Sequence, residues 1–111
     1  MLGESVEVIV DRPFGSCHPK YRNCVYPINY GYVPGVMAGD GEEQDAYIMG
    51  VHEPLEKFKG RVIAIIRRLN DDEDKWVVAS DGCAFSVEEI RAATDFIEQY
   101  FESDLVLWKE E

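Results

Sequence analysis

The feature that most limits the fold is residues 61–69, in which five apolar residues, Val62 to Ile66, follow one another without interruption. The run is too short to cross a membrane, and its β-branched residues favour a strand. Neighbouring side chains of a strand point to opposite faces, so an unbroken apolar run indicates burial on both faces. A β-barrel or a strongly curved sheet, with other elements packed on it, provides that burial.

Four further segments are rich in β-forming residues and are bounded by turn signals. Pro13 ends the first, because proline cannot donate to a ladder, and Pro34-Gly35 is a turn signal that stops the second. The last segment is joined to residues 61–69 by a short polar loop, which predicts a hairpin. The predicted strands are residues 6–11, 26–33, 45–51, 61–69 and 75–79.

The last third of the chain changes to a helical pattern. Ser86 and Glu89 form a capping-box pattern, and Phe85 can pack on Ile90 as a hydrophobic staple. Apolar residues then recur at the helical spacing. They are Ile90, Ala93, Ile97 and the pair Tyr100/Phe101. We predict a helix over about residues 87–102, packed outside the sheet, and residues 105–108 as a final short strand or a packed tail.

Composition limits the classes of function. The chain has 111 residues and a formal net charge of −11, which predicts a single domain, residues 1–111, with a modest core. The acidic balance argues against nucleic-acid binding, which depends on basic surface. The first residues lack the features of a secretory signal, and the three cysteines lack CxxC spacing. We therefore expect reduced thiols and a cytoplasmic location.

Two acidic loops, residues 40–45 and 70–74, flank predicted strands. Taken singly, each is typical of a solvated turn. A closed sheet can bring them together, and two carboxylates about 5 Å apart repel by roughly 3 kcal/mol at an effective dielectric constant near 20. Such a cluster favours bound cations, and oxygen ligands without cysteine or histidine favour Mg²⁺ or Mn²⁺. Together with Lys20 and Lys75, the loops indicate phosphoryl-transfer chemistry.

The most specific pattern is a Tyr-Pro-Ile-Asn-Tyr-Gly-Tyr run, residues 26–32, followed by an Asp-Gly-Glu-Glu-Gln-Asp loop, residues 40–45. Residues 8–13, 20–21 and 73–75 complete it, so that it extends over about residues 6–102. In this order the motifs resemble those of the soluble (family I) inorganic pyrophosphatases.

The resemblance implies a mainly β fold, an OB-like five-stranded closed β-barrel with one long C-terminal helix packed outside. It implies Mg²⁺-dependent hydrolysis of inorganic pyrophosphate to two phosphates by a metal-activated water, with Mn²⁺ as an alternative cofactor. The expected partner is pyrophosphate or another small phosphoanhydride, with no nucleic acid and no membrane. Because bacterial members often form hexamers, a homo-oligomer is an open alternative.

The resemblance also assigns roles to individual residues. Glu42 would accept the proton of the attacking water, and Asp45 and Tyr30 would complete the catalytic group. In the shortened second loop, Asn70, Asp72 and Glu73 compete with the assigned metal ligands. The implied metal ligands are Asp40, Glu42, Asp45, Asp71 and Asp74, and the implied substrate-binding residues are Lys20, Arg22, Tyr26, Lys75 and Tyr100.

Four departures from the family pattern bear on activity. A hairpin that carries a phosphate-binding arginine in the family is missing between Arg22 and Tyr26, and Arg22 stands where the family has a glutamate. Phe101 replaces a phosphate-binding lysine, and Glu42 replaces an aspartate. Misplacement of a catalytic group by about 1 Å can cost about a hundredfold in rate. The alternatives are therefore a phosphohydrolase of altered specificity, or a degenerate member that binds metal or phosphate without turnover.

Overall fold

Five strands close into a barrel, a sixth strand widens its wall, and one helix packs outside. The computed structural model describes residues 2–39, 41–69 and 73–109 of the chain. The elements are β1 (Ser5–Arg12), β2 (Asn29–Met37), β3 (Glu43–Ile48), β4 (Lys57–Arg68), β5 (Asp74–Ala79), α1 (Val87–Glu98) and β6 (Ser103–Leu107).

The barrel closes because β1 pairs with a neighbour at each of its edges. The order around the barrel is β1-β2-β3-β5-β4, and β4 pairs back to β1. The β3–β5 pair is parallel and the other pairs are antiparallel. β6 adds to β4 outside this closed set. The predicted mainly β fold, a closed five-stranded barrel with one C-terminal helix outside it, is confirmed.

The apolar run of β4 is buried on both faces, as predicted. Val62 belongs to the apolar cluster to which all five barrel strands contribute. Ile63 and Ile66 belong to a second cluster, which lies between the barrel and α1 and includes Ile90. β4 begins at Lys57, earlier than predicted, because its polar first residues pair with β1. That pairing depends on a distant strand and leaves no sign in local hydropathy.

Helix α1 begins at the predicted cap and ends earlier than predicted. Ser86 accepts a hydrogen bond from the backbone N–H of Glu89, and the Glu89 carboxylate accepts one from the backbone N–H of Ser86. The helix ends at Glu98, because the N–H of Phe101 bonds to the Glu98 carbonyl three residues back and tightens the turn into β6. In the described residues no helix has the length and hydropathy needed to cross a membrane.

Strand β2 continues through the turn signal that was predicted to stop it. It starts at Asn29, later than predicted, and extends past Pro34-Gly35 to Met37. The pairing with β3 shifts register between Val33 and Met37. This irregularity accommodates Pro34, which has no N–H to donate, and Gly35, whose φ is +80°. β3 likewise covers residues 43–48, two residues earlier than predicted at its start.

Candidate active site

A row of polar side chains crosses the outer face of the barrel. Directly opposed residues of antiparallel strands point to the same face. Arg12 lies opposite Tyr30, and Tyr30 lies opposite Tyr47. Two residues further along β2, Tyr32 lies opposite Asp45. Tyr47 is fully buried in the cluster under α1, so this row belongs to the barrel face that α1 partly covers.

Gly31 allows the two tyrosines of β2 to lie on that face. A Cβ atom at Gly31 would lie 1.9 Å from the carbonyl oxygen of Ile9, so any side chain there would force β1 and β2 apart. Tyr30 and Tyr32 are two residues apart and therefore share a face. The Tyr-Gly-Tyr motif thus combines a close approach of two strands with two phenol groups on the outer face.

Lys75 is the centre of the site. Its Nζ lies 2.5 Å from Asp45 Oδ2 and 2.9 Å from Tyr30 Oη, and it also donates a hydrogen bond to Glu73 Oε1. The Lys75 side chain is only 5% exposed. Asp45 is the last residue of the first acidic loop and Glu73 belongs to the second, so one ammonium group joins the two loops.

The pKa values of the two carboxyl groups that contact Lys75 shift in opposite directions. Burial would raise the pKa of Asp45, but hydrogen bonds with Glu73 and Lys75 outweigh burial and hold this pKa below its ordinary value of 3.8. Burial raises the pKa of Glu73 above its ordinary value of 4.5, and the hydrogen bond with Asp45 adds to the shift. Asp45 is therefore the stronger anion, and Glu73 is the group that holds a proton first as pH falls.

Tyr30 acts in this site as a neutral phenol. Its pKa is raised far above the ordinary value, first by burial and then by the negative charge of Asp45. The hydroxyl accepts a hydrogen bond from Lys75 and donates one to Asp45. Tyr30 can therefore donate a hydrogen bond to an anion but cannot serve as a base at neutral pH.

An acidic cleft of about 290 Å³ opens beside Lys75. Its lining consists of Tyr32, Glu42, Glu43, Asp45 and Glu73. Carboxylate oxygens are the donors that Mg²⁺ and Mn²⁺ prefer, so the donor set fits a hard divalent cation. Within residues 2–39, 41–69 and 73–109, however, no three His, Cys, Asp or Glu side chains converge as a metal-binding group. In the arrangement described, Lys75 holds the two central carboxylates.

Of the two candidate ligands Glu73 and Asp74, it is Glu73 that meets Asp45 at the ammonium group of Lys75. Asp74 is the first residue of β5, and Lys75 follows it, so their side chains point to opposite faces. Glu73 is two residues from Lys75 and shares its face. Among the remaining predicted metal ligands, Glu42 lines the cleft, whereas Asp40 and Asp71 lie outside the described residues.

A buried ion pair connects the site to the end of α1. Arg68 donates to both carboxylate oxygens of Glu98, at 3.0 and 2.7 Å, and the Tyr47 hydroxyl donates to Glu98 Oε2 at 2.8 Å. The side chains of Arg68 and Glu98 are 5% and 3% exposed. Arg68 also donates to Glu73 Oε2 at 3.4 Å. Glu73 is therefore held between two cations, Lys75 and Arg68.

Tyr26 lies at the other end of the tyrosine row. Its ring lies 5.8 Å from the ring of Tyr30, and it stacks with His18 at 6.3 Å. The Nδ1 atom of His18 accepts hydrogen bonds from the backbone N–H groups of Lys20 and Tyr21. This arrangement ties the Lys20 loop to Tyr26, while the Lys20 and Arg22 side chains remain exposed.

Tyr100 and Phe101 lie just past the end of α1. Tyr100 is 76% exposed, and its ring makes no ring contact with Tyr26 or Tyr30 in this structure. The guanidinium carbon of Arg68 lies 3.7 Å from the ring centre of Phe101. Phe101 thus covers the buried Arg68–Glu98 pair, while the Tyr100 side chain beside it is exposed.

Comparison with known proteins identifies the family. A family model described as "Pyrophosphatase: Inorganic pyrophosphatase" matches residues 6–108. The chain belongs to the inorganic pyrophosphatase family. This family and the similar solved structures are hydrolases, so the chain is grouped with the hydrolases.

Solved inorganic pyrophosphatases share the fold at low sequence identity. The structure from Ehrlichia chaffeensis matches with a TM-score of 0.73 and 17% identity, over 96% of this chain and 88% of that one. The Neisseria gonorrhoeae structure matches with a TM-score of 0.68 and 21% identity, over 88% of this chain and 74% of that one. The Coxiella burnetii structure matches with a TM-score of 0.69 and 16% identity, over 99% of this chain and 88% of that one. At these identities the likeness shows a shared fold.

Sequence reasoning named Glu73 of this candidate site only as an alternative ligand, and it did not identify Glu98 or Arg68. Glu73 could have been found from strand alternation, because it is two residues before Lys75. Glu98 interrupts the apolar face of α1, four residues after the buried Thr94, and a carboxylate on a buried helix face signals a buried partner. For its partner, Arg68, no sequence signal exists, because the pair is separated by thirty residues.

Proposed function

We propose that this chain hydrolyses inorganic pyrophosphate to two phosphates with Mg²⁺, in the acidic cleft beside Lys75. The observation that carries the proposal is the meeting of Asp45, Glu73 and Tyr30 at one buried ammonium group. The family to which the chain belongs supports this choice of substrate. Mn²⁺ is an alternative to Mg²⁺ for the same oxygen donors.

In this proposal Asp45, Glu73 and Glu42 hold the cation, together with Asp40 and Asp71 of the two acidic loops. Bound Mg²⁺ would lower the pKa of a water molecule and neutralise phosphate charge. The Glu42 carboxylate accepts the proton of the attacking water. Asp74 has no part in the proposal, because its side chain points to the other face of β5.

Other side chains bind and orient the phosphates. Tyr30 donates a hydrogen bond, because its raised pKa keeps the phenol protonated. Lys75 compensates negative charge at the cleft, and Tyr26 lies buried at the far end of the tyrosine row, where its ring contacts Tyr30. Lys20, on the loop that His18 ties to Tyr26, supplies a further cation.

A second candidate is a family member that binds a cation or phosphate without turnover. The observation that favours it is the engagement of Lys75, whose Nζ already contacts Asp45, Glu73 and Tyr30. If these bonds persist with substrate bound, Lys75 holds the carboxylates together and does not contact phosphate. An altered phosphoanhydride substrate is the corresponding alternative within enzymes.

Phosphate release from pyrophosphate, with and without Mg²⁺, tests the proposal. We expect Mg²⁺-dependent release by the wild type and at least a hundredfold loss in Asp45→Asn. Asp104→Asn is the matched control, because Asp104 is 53% exposed in a surface pair with Arg67, and such pairs contribute little. Circular dichroism checks that each variant is folded.

Three results would decide among the candidates. A wild type that binds Mg²⁺ in calorimetry but releases no phosphate would favour the non-catalytic member. Release from another phosphoanhydride, and not from pyrophosphate, would indicate altered specificity. Equal activity in Asp45→Asn and Asp104→Asn would show that Asp45 is not part of the site.

A further inference from the structure

We propose that Arg12 is a phosphate-binding residue of this site. It would bind the phosphate group at the β1 side of the tyrosine row, opposite the side that carries Asp45 and Glu73. The inference deepens the proposed function and rests on it for the nature of the ligand, a pyrophosphate-like dianionic or polyanionic group.

A β-bulge directs Arg12 to the site. Val10 pairs with Gly31, and Arg12 pairs with the next residue of β2, Tyr30, so that Asp11 is an extra residue in β1. Without the bulge, Arg12 would share the face of Val10, which belongs to the cluster inside the barrel. The extra residue turns the Arg12 side chain to the outer face, as bulges beside active sites commonly do.

The guanidinium group of Arg12 lies among the tyrosines. Its Nη1 donates a hydrogen bond to Tyr26 Oη at 2.7 Å, and its central carbon lies 5.7 Å from the Tyr26 ring centre. That bond and the opposed position of Tyr30 place the guanidinium beside the two phenol groups. It therefore lies on the same face as the residues that meet at Lys75.

Arg12 keeps donors for a ligand. A guanidinium group has five N–H donors, and among the described residues Tyr26 is the only side chain to which Arg12 donates a hydrogen bond. The side chain is partly exposed, so a ligand in the site can reach it. A planar guanidinium matches two oxygens of a phosphate at once, which a lysine cannot do.

The ammonium group of Lys75 is already engaged by carboxylates. Lys75 carries one positive charge against the carboxylates of Asp45 and Glu73, so these three groups have no positive charge to spare. A pyrophosphate anion brings further negative charge to this face, and Arg12 would offset part of it beside the proposed Mg²⁺. Arg12 is the cation next to Tyr26 and Tyr30, whereas the Arg22 side chain is exposed on the preceding loop.

Calorimetric binding of methylenediphosphonate, a pyrophosphate analogue that is not hydrolysed, tests the inference in the presence of Mg²⁺. We expect Arg12→Ala to weaken binding about tenfold or more and Arg12→Lys to recover part of the loss. Arg67→Ala, which removes an exposed arginine of β4, should bind like the wild type. Arg22→Ala tests the competing arginine, and its loss of binding is compared with that of Arg12→Ala.

A double-mutant comparison separates phosphate binding from positioning of Tyr26. If Arg12 binds phosphate, Arg12→Ala weakens binding in the Tyr26→Phe background as well as in the wild type. If Arg12 only orients the Tyr26 hydroxyl, the loss disappears in that background, and the inference is overturned.

The remaining outcomes are also decisive. Unchanged binding in Arg12→Ala, a loss in Arg22→Ala alone, or no analogue binding by the wild type would each overturn the inference. A wild type that binds the analogue through Arg12 but releases no phosphate from pyrophosphate would support the role of Arg12 and contradict the proposed hydrolysis.

Discussion

Lys75 and Glu73 set the charge of the site at the scale of single residues. Lys75 occupies the space between two carboxylates and removes most of their mutual repulsion. Glu73 is left with a raised pKa, because burial and Asp45 both disfavour its charged form. The folded protein thus keeps a carboxylate that is costly to ionise next to the cleft in which the proposed cation would bind. Ionisable groups with a shifted pKa are concentrated at functional sites.

Glu73→Gln should stabilise the metal-free protein more strongly as pH rises. The raised pKa means that the folded state binds more protons than the unfolded state between the two pKa values. The contribution of Glu73 to stability is therefore fully present below its unfolded pKa, near 4.5, and is lost as pH rises through the higher folded pKa. Thermal unfolding from pH 4 to pH 7, with a chelator present, measures the difference.

The expected result is a gain in melting temperature for Glu73→Gln over the wild type that grows from pH 4 upward and then levels off. Glu102→Gln, at an exposed position, is the control and should show no such trend. A difference that shrinks with rising pH would mean that Lys75 and Arg68 lower the pKa of Glu73 overall.

At the scale of elements, the junctions between strands decide where the site lies. The bulge in β1 turns Arg12 outward, and Gly31 lets β2 approach β1 closely enough to pair beside it. The end of α1 delivers Glu98 to Arg68, the last residue of β4. Each junction joins elements that are distant in sequence.

Gly31→Ala should destabilise the fold far more than a glycine change at a turn. Its added Cβ would lie 1.9 Å from the Ile9 carbonyl oxygen, whereas a Cβ at Gly35 would meet no atom within 4 Å. Gly35→Ala carries only the cost of a positive φ, about 1–2 kcal/mol, and is the matched control. We expect Gly31→Ala to lose more than about 3 kcal/mol in urea unfolding. Equal losses in the two variants would show that the β1–β2 contact is adaptable.

Glu98→Gln should destabilise the fold, because Arg68 loses its closest buried carboxylate and keeps the longer contact with Glu73. Removing one partner of a buried ion pair typically costs about 3–5 kcal/mol, and both side chains of this pair are almost completely buried. The free energy of unfolding from urea titration measures the loss. Glu88→Gln, in the exposed first turn of α1, should cost less than about 1 kcal/mol. A loss below about 1 kcal/mol in Glu98→Gln would show that water reaches Arg68.

At the scale of the whole molecule, the net charge of −11 makes cations a general stabiliser. Monovalent salt screens repulsion between exposed carboxylates without any specific site. A divalent cation held in the cleft would add binding free energy to that screening. The two effects can be separated at constant ionic strength.

MgCl₂ should raise the melting temperature more than NaCl does at the same ionic strength. A cation at ten times its dissociation constant adds roughly 1.4 kcal/mol, which corresponds to about 6 °C for a domain of this size. Differential scanning calorimetry measures the excess. It should be lost in Asp45→Asn and kept in Asp104→Asn. An excess that both variants keep would assign Mg²⁺ binding to the general acidic surface.

The sequence by itself determined the strands, the start of α1 and the mainly β class, because these depend on neighbouring residues. β propensity, the Ser86 cap and the apolar run of β4 act over a few positions and leave a local signal. The resemblance also placed Asp45, Tyr30 and Lys75 in one candidate site, and the structure brings these three into contact.

Only the tertiary structure decided which side chains meet. A shift of one residue moves a strand side chain to the other face, so the β1 bulge brought Arg12 to the outer face, and alternation in β5 put Glu73 rather than Asp74 at Lys75. The Arg68–Glu98 pair required β4 and α1 to pack together. Cross-strand register and packing bring together residues that no local pattern links. The sequence therefore indicated the chemistry, and the tertiary structure determined which residues lie at the site.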